Sequence, residues 1–249
     1  MRILRSAVAL LLVGLIAGPA VAQVTPQTLA KLEARRQAKP GDVGTMRALG
    51  IGYFKTKRYA DAENVLVSAR GIAPKDAVVA LYLGMSAEER GDLVAARDAY
   101  TTYLATGRTK SARNAVTLRL AAVVQKELQA AAKAAVAQEQ RLSTQRGSLD
   151  MIAVLPLSVT GNPMYEPLGR GLADLMISDF GQVPGLKLLE RDRIQALLDE
   201  IAVGKSNSVD QATAARSGRI LQAGRVVTGS LVAANAQNVP VVAIVDRAA

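Results

Sequence analysis

The fold turns on Met151-Ile152-Ala153-Val154-Leu155-Pro156. Five apolar residues follow one another without alternation, and a proline closes them. A strand buried on both faces reads this way, and a proline, having no N–H, stops such a ladder. Past a turn-rich loop over 161–167, Leu168, Leu172, Leu175, Met176 and Phe180 repeat at helical spacing until Gly181 and Pro184. A second strand is predicted over 186–189. Ile194, Leu197, Leu198 and Ile201 mark a second helix, with Asp192 as its cap and Gln195 completing a capping box. Asp210 is the predicted cap of a third helix to about 221. Ala214 and Gly218 give that helix a small face, and Gly224 ends it. Strands follow over 226–232 and 239–245. Strand, helix, strand predicts a right-handed crossover and a parallel pair. The region is therefore a small α/β domain with a mixed or parallel sheet.

Upstream, residues 113–141 hold no glycine or proline and are rich in Ala, Gln, Lys and Glu, all strong helix formers. Val116, Leu120, Val123, Val124 and Leu128 form a helical stripe. A long Ala-rich helix is predicted, running out as a stalk, with the polar stretch 143–148 around Gly147 as a linker. Further upstream the chain repeats itself. Leu49-Gly50 returns as Leu83-Gly84, Ala62 as Ala96 and Leu66 as Tyr100, each pair 34 residues apart. Tyr53, Ala69 and Pro74 complete the first copy. Period and residue types match the tetratricopeptide repeat. Glycine and alanine let paired helices approach, and Pro74 ends the hairpin. Helices are predicted over 43–55, 59–72, 77–91 and 93–105, preceded by one over 26–39. Such signature residues are core, and partners are expected on the array's surface.

The chain opens with Arg2 and Arg5, an apolar run over 7–17, and Ala20-Val21-Ala22 before Gln23. This is the pattern of a secretory signal peptide cleaved after Ala22. The run is shorter than the ~20 residues of a spanning helix. The expected organisation is a signal peptide (1–22), a repeat domain (23–108), a helical stalk and linker (109–148) and an α/β domain (149–249). The fold class is α + α/β.

Among 249 residues there is no cysteine and no histidine. Disulfides, thiolate nucleophiles, Cys/His metal sites and imidazole-based triads are excluded. General acid–base catalysis loses its commonest residue. A lipid anchor at the cleavage point would need a cysteine, so an unlipidated exported protein is expected. The net charge of +10 falls to +8 without Arg2 and Arg5.

Four stretches are recognisable together: Ala153-Val154-Leu155-Pro156; Leu168-Gly169-Arg170-Gly171-Leu172-Ala173-Asp174; Leu189-Glu190-Arg191-Asp192-Arg193 with Leu197-Leu198-Asp199-Glu200; and Val227-Thr228-Gly229-Ser230. In this order they resemble the CsgG family of curli production assembly/transport components over about 151–245. The motif residues are Pro156, Gly169, Gly171, Asp174, Glu190, Arg191 and Gly229. The resemblance implies a periplasmic α/β domain, involvement at the outer membrane and self-association. The lipid cysteine is missing, and few residues follow Gly229 for membrane hairpins of ~10-residue strands. The expectation carried forward is therefore the periplasmic domain without the pore, as in a truncated member.

Two chemical look-alikes fall away. Gly169-Arg170-Gly171 imitates a phosphate fingerprint, but Asp174 stands at its third position and the loop before it is too long. The better reading is that the glycines admit close helix–sheet packing. Glu190, Asp192, Asp199 and Glu200 are interleaved with arginines and read as a solvated face. Two phenylalanines and no tryptophan give single-stranded nucleic acid no stacking platform. No catalytic residue, cofactor or metal is expected. The expected function is non-catalytic. The repeats would dock envelope proteins, and the α/β domain would self-associate or lie against the outer membrane. The alternative is a secretion-channel component.

Overall fold

A computed structural model describes residues 24–201, 209–233 and 242–248. The signal peptide expected over 1–22 lies outside them. The chain divides into two compact units, Met1–Arg90 and Gly91–Ala249.

The first unit is four helices: α1 (Pro26–Ala38), α2 (Val43–Lys55), α3 (Tyr59–Ile72) and α4 (Ala77–Arg90). Each follows the predicted span to within a residue at either end. Local chemistry sets their starts. Thr25 caps α1 by accepting from the Thr28 N–H at 3.2 Å, Asp42 caps α2 through the Gly44 N–H, and Asp76 accepts from Val78 and Val79. These side chains satisfy donors that a helix start leaves unpaired. Between α2 and α3, Leu49, Ala62, Val65, Leu66 and Ala69 are almost wholly buried. A Cβ on Gly50 would sit 2.5 Å from Leu66, so glycine there is what lets the hairpin close. Tyr53 donates to Glu33 at 2.6 Å, and the Arg58 guanidinium stacks 4.2 Å from its ring centroid. Burial, reinforced by the Glu33 carboxylate, pushes the Tyr53 hydroxyl up to about 12.

The second unit begins with α5 (Leu93–Thr106) and α6 (Lys110–Ala137), which pack together. Ala96, Tyr100, Val116 and Val123 are buried. The short α7 (Glu139–Ser143) follows. Then come β1 (Ser148–Val154), β2 (Ser158–Gly161), α8 (Glu166–Phe180), β3 (Lys187–Leu188), α9 (Arg191–Glu200), α10 (Gln211–Leu221), β4 (Ala223–Ala233) and β5 (Val242–Ala248). β1 pairs in parallel with β3 and β4, β2 in parallel with β4, and β5 antiparallel with β4. The sheet is mixed, and the architecture is α + α/β. Both of its faces are covered. Ile152, Val154 and Val227 pack toward α8, while Ala153, Leu155, Ala223 and Val226 pack toward α9 and α10. The unbroken apolar run of β1 reflects this double burial.

Four expectations are corrected. α6 does not run out as a stalk: its second half lies against α9, and Ala132 joins the sheet's core with Leu128, Ala135 and Val136 beside it. The cap of α9 is Glu190, not Asp192, so Asp192 sits in the first turn, where its charge suits the helix dipole. Gln195 forms no capping box and instead donates to Asp199 at 2.8 Å. α10, capped by Asp210 at 2.7 Å from the Thr213 N–H, ends on Gln222 in the left-handed region (φ 57°), not on Gly224. Gly224 is already in β4, where a Cβ would meet the Ser148 carbonyl oxygen at 2.5 Å.

Polar ties hold the outer elements. Glu139 and Arg216 join α7 to α10 through two bonds of 2.8 Å. The guanidinium holds the Glu139 carboxyl below its usual value. Lys187 on β3 reaches Asp150 on β1 at 2.7 Å, and with Ser148 it lowers the Asp150 carboxyl to about 2. A carboxyl depressed by folding contributes stability that is present above its unfolded value of 3.8 and is lost as pH falls through about 2. Asp150→Asn should therefore flatten the acid limb of the unfolding curve between those values, lowering stability modestly at neutral pH and converging with the unsubstituted protein near pH 2. Urea midpoints measured across that range check it; an unaltered acid limb would refute it.

Candidate functional site

The site is built where β1 gives way to β2. Val154 stands opposite Val227, but Ser158 stands opposite Ser230. Three residues, Leu155, Pro156 and Leu157, thus face two on β4. β1 and β2 are one strand interrupted by a bulge of one residue, centred on a proline that could not have continued the ladder. Leu155 still donates to the Val227 carbonyl at 2.9 Å. Leu157 turns away and donates to Gly169 in α8 at 3.2 Å, while the Ser158 hydroxyl reaches the Gly229 carbonyl at 3.2 Å.

The bulge seats α8. A Cβ on Gly169 would lie 2.2 Å from the Leu157 carbonyl oxygen, so only glycine lets the helix rest on the bulged backbone. This bears out the packing reading of Gly169. Gly171 differs, since a Cβ there would meet nothing within 4 Å. Neither glycine forms a phosphate cradle, because both lie inside the helix, which starts at Glu166.

One turn on, Asp174 accepts from Arg191 at 2.5 Å. This pair joins α8 to the first residue of α9. With Val154, Pro156, Arg170 and Gln195 it lines a small groove at the carboxyl end of β1. Four motif residues, Pro156, Gly169, Asp174 and Arg191, therefore converge. Gly229 stands beside the bulge on β4. Gly171 faces outward, and Glu190 sits exposed at the α9 start. Asp174 and Arg191 pair with each other and so tie α8 to α9 across the groove, with Arg170 on its lining. Of the carboxylates of α9, Asp199 takes a bond from Gln195, and Asp199 and Glu200 together line an open hollow with Lys126 and Lys133 of α6. Among the described residues no three metal-ligating side chains gather.

Sequence reasoning missed β2, Arg170 and the second apolar side of α8. Leu157-Ser158-Val159-Thr160 does alternate, and that was the available signal. Helical spacing in α8 marks the helix without marking the side it buries. Gly169 and Ala173 are buried, while Leu168 (48%), Leu175 (63%) and the neighbouring Met164 (70%) are exposed.

The site is thus a doubly covered α/β sheet with a self-paired Asp174–Arg191 cluster at the carboxyl end of β1. A family model described as Curli production assembly/transport component CsgG matches residues 122–238, just under half of the chain. The match begins inside α6, at the part that joins the sheet's core. No curated protein matches the chain.

Proposed function

We propose that this protein is a non-catalytic periplasmic interaction and assembly factor in the building of outer-membrane or cell-surface structures. The observation that carries this reading is the CsgG family match over the α/β unit. The secretory pattern of residues 1–22 supports export, and the absence of a cysteine supports an unlipidated product. The 34-residue period and, within the first unit, the burial of Leu49, Ala62, Ala69 and Leu83 support a tetratricopeptide-type hairpin that docks envelope proteins. Self-association of the CsgG-like domain would use Leu168 and Leu175, the large apolar side chains that α8 leaves exposed and a partner surface could cover. Peripheral contact with the outer membrane completes the reading. No helix among the described residues is long and apolar enough to cross a membrane.

Crosslinking in native cells tests it. Full-length protein should capture defined envelope proteins, and a chain lacking residues 43–108 that still accumulates should lose them. Partners retained by the shortened chain would sink the reading. A second reading, a component of a curli-type secretion channel, is favoured by the family's transport description. It requires detergent-dependent oligomers that conduct in planar bilayers; a soluble, non-conducting protein excludes it.

A further inference from the structure

In the helical unit, α1, α2 and α3 enclose an open groove. Its floor is Met46 and Leu49, and its walls carry Glu33, Arg36, Pro40 and Ile72. The floor is apolar, and Ile72 stands 54% exposed at the rim. The groove carries one charge of each sign, Glu33 and Arg36. Glu33 is already engaged, accepting from Tyr53 at 2.6 Å with Arg58 3.7 Å away. Arg35, Arg47 and Arg58 reach carboxylates at 3.8, 2.8 and 2.7 Å, Arg90 pairs with Glu63, and Arg70 also has its interactions. Among the described residues, Arg36 makes no ion pair. It is half-buried on the groove wall, not extended into solvent.

A half-buried guanidinium is a strong, directional carboxylate binder. Placed beside an apolar floor and an exposed isoleucine, it selects a ligand bearing a carboxylate next to a bulky apolar side chain. We propose that this groove docks an acidic peptide segment of a partner protein, its carboxylate on Arg36 and an apolar side chain against Ile72 and Met46. The inference deepens the docking reading of the repeats and rests on it.

The test uses the full chain and fluorescence anisotropy. The probe is a short fluorescein-labelled peptide of repeated Glu-Leu-Asp, with polyglutamate and a Lys-Leu-Lys repeat as comparisons. The Glu-Leu-Asp peptide should bind best and weaken with added salt. Arg36→Glu and Ile72→Asp should each weaken it about tenfold or more, as loss of a specific charged or anchoring contact does. Thermal melts by circular dichroism confirm folding; should Arg36→Glu melt early, Arg36→Gln is read instead. Equal binding by the variants, or by the lysine peptide, overturns the proposal. Equal binding by polyglutamate removes the apolar anchor and overturns it as well. The two readings separate in cells. If the chain lacking 43–108 loses its partners while Arg36→Glu keeps them, docking by the repeats stands and this groove is not the site. If the shortened chain keeps them, the docking reading itself has failed, whatever the peptide does.

Discussion

Gly169→Ala should destabilise the α/β unit by about 3 kcal/mol, the upper range for forcing an extra carbon into a packed site. The added Cβ would stand 2.2 Å from the Leu157 carbonyl oxygen. That atom is backbone, held in a bulge that Pro156 imposes and that hydrogen bonds to β4 and α8 fix. It cannot rotate away like a side chain, so α8 must lift. Lifting it loosens the contacts of Ala173 with Ile152 and Val154 and pulls Asp174 from Arg191. Gly171→Ala is the internal control. It lies two residues along the same helix with open space around it, so alanine should be neutral or stabilise by up to ~1 kcal/mol through helix propensity. Urea titrations followed by circular dichroism on both variants decide the matter. Equal effects at the two glycines would show that the bulge does not seat the helix.

Leu66→Ala should cost 2–5 kcal/mol in the helical unit, roughly the range for emptying a buried leucine site. Leu66 is 0% exposed and is the side chain against which Gly50 closes the α2–α3 hairpin. The geometry also predicts how the loss is repaired. Gly50→Ala alone should destabilise, because its Cβ would come within 2.5 Å of Leu66. Combined with Leu66→Ala it should cost less than the sum, since the new methyl enters the vacated space. Strict additivity in the double-mutant cycle would refute this contact as the closing one.

The four helices of the first unit were legible; that α5, read over 93–105 as part of the repeat domain, falls in the second unit packed with α6 was not. Its helices are bounded by caps and breakers, and its hairpin rests on residues that are local in sequence or repeat at a fixed period. Leu49, Gly50 and Ala62 are where period and residue type place them. The α/β unit was legible in its elements and less so in their use. β1 and α10 with its Asp210 cap declare themselves through an unbroken apolar run and a local hydrogen bond. The α9 cap was misassigned because Glu190 and Asp192 are both plausible starts, and only the path of the chain leaving β3 separates them. In α8, leucines at helical spacing do identify a helix, but spacing alone does not say which side faces the sheet. The side that meets the sheet carries Gly169, Ala173, Met176, Ile177 and Phe180, and it must be small at Gly169, where the bulged backbone leaves no room for a Cβ.

By itself, the sequence determined most of the elements, the α + α/β class, the want of histidine and cysteine chemistry, and the motifs that resemble CsgG. The tertiary structure alone decided that Pro156 breaks one strand into β1 and β2 with a single extra residue, that α6 closes the sheet's core, and that Pro156, Gly169, Asp174 and Arg191 meet. The physical reason is range. Capping, propensity and periodicity act within a few residues. Strand register, the face a helix buries and the partner a charge finds depend on atoms tens of residues away, and these show only when the chain has packed.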